Sequence, residues 1–327
     1  MKLEPKNHKE VFVTGGGGLI GSFLSEILVN KGHRVFIIDD FSKGHIKNLK
    51  NIENKVEIIE ADLQDISQAR NALSQAKNIF HLASRAYGIG YSSKNHIETL
   101  LHNEKITNNL LEVFTESKPE NILITSSSCV YKDGGPDTIS ERDLFEENPE
   151  EANKGYGWAK RFLEQKFILF SEINEVNLKI VRPFNIYGER YRWVGEYSSA
   201  IPMLIKRILD GEDPLYAWGS GNQRRSYMHA YDCARLMIKI MDNTIGNVVV
   251  NIGTRETISV SELVSKICNI SGNNPKIIFD TSKPEGRFVK SSDTDHLQKI
   301  INSEKITTIE IDEGLKKMIG WYNENFK

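Results

Sequence analysis

Apolar and polar positions alternate along the first half of the chain in a rhythm of short strands and amphipathic helices. Residues 11–40, VFVTGGGGLIGSFLSEILVNKGHRVFIIDD, hold an apolar run, a glycine-rich turn, apolar positions at helical spacing and a second apolar run. Runs of this length predict buried strands, and the spacing between them predicts an amphipathic helix. The segment therefore predicts a strand, a turn, a helix and a strand, the unit from which parallel sheets are built.

The same rhythm continues to residue 184. Further strands are predicted at 56–62, 78–84, 122–128 and 178–184, and further helices near 65–75, 96–117 and 154–173. Strands separated by helices indicate a doubly wound parallel sheet with helices on both faces. The predicted fold class is therefore α/β, with a Rossmann-like sheet.

After residue 185 the rhythm loosens. Helices are predicted near 199–210, 230–242 and 309–325, and strands at 215–218, 247–253 and 276–280. We interpret these elements as a smaller α/β substrate-binding lobe, interleaved with the end of the sheet. The predicted division assigns residues 1–184 plus about 224–255 to the cofactor-binding domain, and about 185–223 plus 256–327 to the lobe.

The composition argues against several classes of partner. With 42 basic and 44 acidic residues there is no basic excess to hold a phosphate backbone, so nucleic acid is not an expected partner. The polar start MKLEPKNHKE is unlike a signal peptide, and the absence of a long apolar run predicts no membrane span. Three isolated cysteines, Cys129, Cys233 and Cys268, form neither a disulfide framework nor a zinc pattern. We therefore expect a cytoplasmic protein without a metal site.

A glycine-rich turn follows the first predicted strand. Gly15, Gly18 and Gly21 have the spacing G-x-x-G-x-x-G, which lets a pyrophosphate approach the backbone at a helix N-terminus. Asp39 ends the next strand, where a carboxylate accepts hydrogen bonds from both ribose hydroxyls and repels a 2′-phosphate. The pattern favours NAD over NADP, although Lys43 nearby would favour a phosphate. The alternative interpretation is a tight turn without a ligand.

Tyr156 and Lys160 lie one helical turn apart at the start of a predicted helix. Residues at i and i+4 share a face, so the phenol and the ammonium can point into one site. A nearby cation favours the phenolate, and we expect it to lower the pKa of Tyr156 toward that of a useful base. The spacing alone is common by chance. It gains meaning from its position after the glycine turn and after the serine-rich stretch ITSSSCVY, residues 124–131.

The motifs TGGGGLIG, EADL, HLAS, SSSCVY, YGWAK and RPFNIYG occur in the order seen in extended short-chain dehydrogenases/reductases, which the chain resembles over nearly its whole length. The resemblance implies an NAD-dependent enzyme that acts on a nucleotide-diphosphate sugar. It also implies a homodimer formed through the two long helices. By this match Ser127 is the catalytic hydroxyl, Tyr156 the base and Lys160 the ribose-binding lysine. The implied cofactor-binding residues are Gly15, Gly18, Leu19, Ile20, Gly21, Asp39, Asp40, Ser42, Lys43, Asp62, Leu63, Leu82, Ala83, Ser84, Asn103, Tyr156 and Lys160.

Within that group, RAYGIGYSSKN and the cysteine of SSSCVY most resemble the GDP-mannose 3,5-epimerases. The match implies that Cys129 is catalytic and that a GDP-hexose is the substrate. The implied substrate-binding residues are Gly88, Gly90, Ser127, Ser128, Asn185, Arg225 and Arg287. The second acid/base of those epimerases is a lysine, and residues 193–199 of this chain contain none.

The implied reaction passes through a 4-keto sugar. Tyr156 would take the 4-hydroxyl proton while hydride moves to NAD, and Cys129 would exchange a proton at C3 or C5. Cys129 is otherwise a small apolar side chain. In related 4,6-dehydratases and decarboxylases an acidic residue follows the catalytic hydroxyl, where this chain has Ser128, so those activities rank lower. A UDP-hexose 4-epimerase, a net dehydrogenase and a non-enzymatic NAD sensor or scaffold stay open.

Overall fold

A computed structural model describes residues 9–143, 147–193, 198–283, 286–303 and 305–327. The strands are β1 (Glu10–Thr14), β2 (Arg34–Asp39), β3 (Val56–Glu60), β4 (Asn78–His81), β5 (Asn121–Thr125), β6 (Thr138–Ile139), β7 (Asn177–Pro183), β8 (Ile186–Tyr187), β9 (Leu215–Trp218), β10 (Arg224–Arg225), β11 (Met228–His229), β12 (Val248–Ile252), β13 (Ile258–Ser259), β14 (Ile277–Asp280) and β15 (Val289–Ser292). The α-helices are α1 (Leu19–Asn30), α2 (Ile66–Leu73), α3 (Ile89–Ser92), α4 (His96–Ser117), α5 (Lys154–Asn174), α6 (Ala200–Leu209), α7 (Ala230–Asn243), α8 (Val260–Ser271), α9 (Asp295–Ile300) and α10 (Ile311–Phe326). Short 3-10 turns cover Ile46–Leu49, Glu53–Lys55, Ser128–Val130 and Glu151–Asn153.

Seven parallel strands form the large sheet, in the order β12-β7-β5-β4-β1-β2-β3. Successive side chains of each strand enter opposite layers. Val11 and Val13 of β1 pack with α1, α7 and α9 on one face. Phe12 packs with α2, α4 and α5 on the other face. The predicted doubly wound α/β fold is confirmed.

The remaining strands and helices build a smaller lobe. Strands β13, β10, β15 and β6 form a four-stranded sheet, and the pairs β14–β9 and β11–β8 complete the strand inventory of the described residues. Helices α6, α8 and α10 share a core that includes Ile205, Leu263 and Leu315. The predicted division gives α9 to this lobe, whereas Leu297 of α9 packs in the core of the large sheet. The domain boundaries stay a prediction.

None of the helices in the described segments combines the length and the apolar character needed to cross a membrane.

A buried ion pair ties α5 to the large sheet. Arg182 on β7 donates to both carboxylate oxygens of Glu164 on α5, over 2.9 and 2.6 Å, and both side chains are fully buried. Ser126 donates a hydrogen bond to the same carboxylate. Arg182 also donates to the hydroxyl of Tyr131 over 2.9 Å, and Tyr131 donates to Asn251 of β12 over 2.6 Å. Bidentate, fully hydrogen-bonded geometry is what a buried charge requires.

Replacing Glu164 by glutamine should leave the charge of Arg182 buried and uncompensated. We expect the free energy of unfolding to fall by about 3–5 kcal/mol, measured by urea denaturation. Glu172→Gln, at an exposed position of the same helix, should change it by less than about 0.5 kcal/mol. Equal stabilities of the two variants would contradict the role of the pair.

Candidate active site

A cavity of about 810 Å³ opens between the carboxyl ends of the large sheet and the smaller lobe. Its lining includes the residues that follow β1, β2, β3, β4, β5 and β7. In open parallel sheets, ligands bind in the crevice outside these strand ends. The size and the position of the cavity therefore suit a dinucleotide and a substrate side by side.

The glycine turn is shaped by close backbone approaches. Gly15 has φ +71°, and a Cβ atom there would lie 2.7 Å from the backbone nitrogen of Ala83. A Cβ atom on Gly21 would lie 2.1 Å from the carbonyl oxygen of Gly15. Neither space admits a side chain, so the turn stays open toward the cavity at the start of α1.

Asp39 organises the same turn. Its carboxylate accepts hydrogen bonds from the backbone N–H groups of Gly17 and Phe41, each over 2.8 Å. Burial raises the pKa of Asp39, while these two donors act in the opposite direction. The carboxylate lies at the end of β2 and lines the cavity beside Gly15 and Gly18, where the sequence places the ribose-binding group.

Lys43 binds protein rather than open solvent. Its ammonium donates to the carbonyl of Ala86 and lies 5.7 Å from the ring centroid of Tyr87. Burial lowers the pKa of Lys43 to about 8, and the charge of Arg192 adds to this effect. The contact joins the loop after β2 to the loop after β4. Lys43 therefore has a structural role, and its presence is no argument for a phosphate ligand.

Most predicted cofactor-binding residues meet in this cavity. Its lining includes Gly15, Gly18, Leu19, Ile20, Gly21, Asp39, Asp40, Ser42, Lys43, Asp62, Leu63, Leu82, Ala83, Ser84 and Tyr156. Asn103 lies outside the lining. Its amide oxygen accepts from the backbone N–H of Arg85 over 3.0 Å, and its amide nitrogen donates to the carbonyl of the same residue over 3.1 Å. Asn103 therefore fixes the loop after β4, which lines the cavity.

Tyr156 and Ser127 lie together in the wall of the cavity, and the Tyr156 hydroxyl interacts with Ser127 and Ser84. Lys160 lies beneath them: its ammonium donates to the carbonyl of Thr125 over 2.8 Å and is 5.5 Å from the ring centroid of Tyr156. Burial raises the pKa of Tyr156, so the expectation of a lowered pKa is wrong for this structure. Desolvation of the phenolate is the largest cause, the nearby Cys129 adds to it, and burial also lowers the pKa of Lys160 to about 7.

His81 has a structural role. Its Nδ1 lies 2.7 Å from the hydroxyl of Thr14, inside the sheet. Burial, aided by the charge of Lys160, lowers the pKa of His81 to about 3. The imidazole is therefore neutral at physiological pH and joins β4 to β1.

The first turn of α5 is pressed against the turn Ser128–Val130. A Cβ atom on Gly157 would lie 2.6 Å from the carbonyl oxygen of Cys129 and 2.6 Å from Pro149. Ser127 caps the Ser128–Val130 turn by accepting the backbone N–H of Cys129 over 3.1 Å. Helix α5 can thus carry Tyr156 up to Ser127 because residue 157 has no side chain.

A buried ion pair that sequence reasoning missed stands beside Cys129. Lys290 of β15 donates to the carboxylate of Glu150 over 2.5 Å, both side chains are less than one-tenth exposed, and both line the cavity. Burial and the charge of Glu150 raise the pKa of the Cys129 thiol to about 11, while Lys290 acts in the opposite direction. The three residues are far apart in the sequence. A lysine inside the strand VKSS is the one hint that the sequence holds.

On the substrate side the lining includes Gly88, Gly90, Ser127, Ser128, Asn185 and Arg225. Arg287 lies outside it, because its guanidinium donates to the carbonyls of Val289, Lys132 and Pro136. Trp218, which sequence reasoning also missed, presents a half-exposed indole to the cavity. Such a ring can stack on a nucleobase.

Two remaining expectations concern segments that the structure covers only in part. Residues 194–197, within the stretch that lacks a lysine, lie outside the described residues. Across the described segments, His, Cys, Asp and Glu side chains form no group of three or more able to hold a metal ion.

The residues present fit NAD. Because Gly15 has no side chain, the start of α1 is accessible from the cavity. Backbone N–H groups at the start of a helix are where a diphosphate binds. Asp39 lies at the end of β2 for the ribose, and Tyr156 and Ser127 lie beyond it along the cavity.

Comparison with known proteins agrees with this geometry. Residues 11–253 match the family described as "NAD dependent epimerase/dehydratase family". The UDP-N-acetyl-alpha-D-glucosaminuronate decarboxylase of Bacillus cytotoxicus is 29% identical over 322 residues, covering 97% of this chain and 98% of that protein. A putative UDP-glucose 4-epimerase of Methanocaldococcus jannaschii is 28% identical over 322 residues, covering 96% of this chain and 99% of that protein.

A solved structure, MoeE5 in complex with UDP-glucuronic acid and NAD, is 27% identical and superposes with a TM-score of 0.81. The match covers 97% of this chain and all of that one. NAD is therefore the cofactor. With about three quarters of its length matched, the chain belongs to the NAD-dependent epimerase/dehydratase family.

Proposed function

We propose that this protein is an epimerase of nucleotide-diphosphate sugars that works through a transient 4-keto sugar. The observation that carries the proposal is that Ser127 and Tyr156 line one cavity with the NAD-binding turn, while Lys160 lies beneath them, bound to the carbonyl of Thr125 at the end of β5. A protein that only binds NAD has no need of all three groups. A sensor or scaffold is therefore the weaker reading.

Bound NAD accepts a hydride from the sugar and later returns it, so the cofactor is not consumed. Tyr156 takes the proton of the 4-hydroxyl, and Ser127 donates a hydrogen bond to the same oxygen. Because burial holds Tyr156 protonated, positive charge must stand close to the phenol before it can act as a base. Lys160 provides one such charge, 5.5 Å from the ring centroid.

The sugar is proposed to be carried by UDP. The decarboxylase and the 4-epimerase reported above are named for UDP-sugars, and MoeE5 was solved with one. Trp218 supports the proposal because it offers a stacking surface on the cavity wall, and Arg225 offers a cation for the diphosphate. A GDP-hexose and a 3,5-epimerisation stay predictions of the sequence resemblance.

A decarboxylase is the second candidate, and Glu150 favours it. The sequence argued against this activity because no acidic residue follows Ser127. In the fold, the carboxylate of Glu150 lies beside Cys129 and lines the cavity near Ser127. The similarity to the decarboxylase of Bacillus cytotoxicus points the same way.

A homodimer through α4 and α5 is also proposed. Ile97 and Leu101 on α4 and Leu169 and Ile173 on α5 are 60–80% exposed. The two helices pack against each other, and both expose apolar side chains to solvent; these four residues are here called the α4–α5 face. Exposed apolar side chains of this size are typical of a protein interface.

The substrate assignment can be tested by NMR of the purified protein with NAD and, in turn, UDP-glucose, UDP-N-acetylglucosamine, UDP-glucuronic acid and GDP-mannose. We expect an epimer of at least one UDP-sugar, without net formation of NADH. Release of carbon dioxide from UDP-glucuronic acid would establish the second candidate instead. If none of the four sugars reacts, the proposed function is contradicted.

Tyr156→Phe should lower kcat by about 10²–10⁴-fold, because the variant has no group to take the 4-hydroxyl proton. The dissociation constant for NAD, from fluorescence titration, should change by less than about threefold. The control is Tyr231→Phe, since Tyr231 is exposed and lies outside the cavity lining. Turnover by Tyr156→Phe at the wild-type rate would refute the assignment.

Charges placed on the α4–α5 face should separate the subunits. We expect wild-type protein to sediment as a dimer at micromolar concentration, and Leu169→Glu/Ile173→Glu to sediment as a monomer. Ile245→Glu is the control, because Ile245 is 95% exposed but lies outside this face. A wild-type monomer, or a double variant that stays dimeric, would count against the interface.

A further inference from the structure

We propose that Cys129, Glu150 and Lys290 form a proton-donating array that delivers a proton to the sugar carbon next to the 4-keto carbon. The proposal rests on the 4-keto intermediate of the proposed function. It assigns roles to Glu150 and Lys290. In this proposal the array takes the role of the second acid/base lysine, which residues 193–199 lack. Cys129 touches the substrate, whereas Glu150 and Lys290 act through it and are positioning residues.

Three separate elements bring the array together. Cys129 lies in the turn after β5, Glu150 precedes the turn that leads into α5, and Lys290 lies on β15. The backbone N–H of Glu150 donates to the carbonyl of Tyr131 over 2.8 Å, which fixes the carboxylate beside the thiol. All three array residues line the same cavity as Ser127 and Tyr156.

Burial, together with the charge of Glu150, holds the thiol in its acid form. Burial alone would lower the pKa of Lys290, but Glu150 raises it, so the ammonium keeps its proton. Burial alone would raise the pKa of Glu150, but Lys290 lowers it, and Arg225 adds to that effect. Arg225 faces the pair from β10, where it is the register partner of Lys290. The ionised Glu150 in turn disfavours a thiolate on Cys129.

Because Cys129 carries its proton, it can act toward the sugar as an acid and not as a base. When an enolate forms next to the 4-keto carbon, its electron pair forms a new C–H bond with the hydrogen of Cys129. The S–H bond breaks, and the enolate oxygen returns to a ketone. The thiolate then takes a proton from the Lys290 ammonium through the Glu150 carboxylate, and water reprotonates the amine.

The array can protonate an enolate but cannot generate one, so it fits a reaction in which the enolate forms without removal of a proton by a base. If the carbon next to C4 carries a carboxylate, loss of carbon dioxide breaks the C–C bond and leaves its electron pair as the enolate. The array then supplies the proton that replaces the carboxylate. A nucleotide-linked uronic acid is therefore the substrate class that this array fits, which deepens the second candidate of the proposed function.

The first test needs no sugar. Glu150→Gln removes the negative charge beside Cys129, so the thiolate should form at lower pH. We expect iodoacetamide to alkylate Cys129 at pH 8 about tenfold faster in this variant than in wild type, for each pH unit by which the thiol pKa falls. Peptide mass mapping separates Cys129 from the buried Cys233 and Cys268. An unchanged rate would overturn the array.

The second test follows the proton in D₂O, with UDP-glucuronic acid and NAD as the probe. Wild type should give product with deuterium on the carbon next to C4. Glu150→Gln and Lys290→Met should slow deuterium delivery at least tenfold and accumulate NADH, while the rate of the first oxidation stays within about threefold. Wild-type product without carbon-bound deuterium, or variants that match wild type, would overturn the proposal.

Controls separate charge effects from folding and from the proposed function. Glu151→Gln and Lys154→Met remove the exposed ion pair next to Glu150 in the sequence and should behave as wild type in both tests. The double variant Glu150→Gln/Lys290→Met leaves no unpaired buried charge, so it should fold and still fail to deliver deuterium. If wild type converts none of the four sugars, the proposed function fails, and the alkylation rates still decide on the array.

Discussion

The arrangement of the site depends on one buried contact, the paired hydrogen bonds between Arg182 and Glu164. The pair lies directly behind the end of β5, where Ser126 and Tyr131 bind to it. The segment between those two residues contains both Ser127 and Cys129, so its two ends are held by the same charges. A buried pair contributes little net stability over an apolar equivalent, and its value here is that it allows one arrangement only.

Burial shifts the pKa values of several titratable groups at this end of the sheet. It raises the pKa values of Tyr156 and Cys129 and lowers those of Lys160 and His81. Tyr156, Cys129 and His81 are thereby held in their neutral forms, whereas Lys160 can still carry its charge near neutral pH. Proton transfer then depends on charges that ligands bring into the cavity. Under the proposed function, such a site becomes active only when cofactor and substrate are both bound.

The sequence predicted what local patterns encode. Helix α4 was predicted over about 96–117 and is observed as His96–Ser117. The prediction succeeded because apolar spacing and helix ends are determined by residues close together in the sequence. The glycine turn and Asp39 followed from the same kind of local signal. The partnership of Glu150 with Lys290 could not be predicted, since it arises only when the smaller lobe docks on the sheet. The pKa of Tyr156 was predicted in the wrong direction because helix spacing reveals a neighbouring charge but not the loss of solvent.

The close approach at Gly157 has an evolutionary consequence. Any side chain there would meet the carbonyl of Cys129 and the ring of Pro149 at 2.6 Å, so one of these segments would have to move. By contrast, a methyl group on Gly320 of α10 would meet nothing within 4 Å. Substitution of Gly320 is therefore accepted by the fold. By contrast, a sequence that keeps Tyr156 in its place also needs glycine at position 157. Tyr156 and Gly157 must therefore be retained together, although only Tyr156 takes part in the proposed reaction.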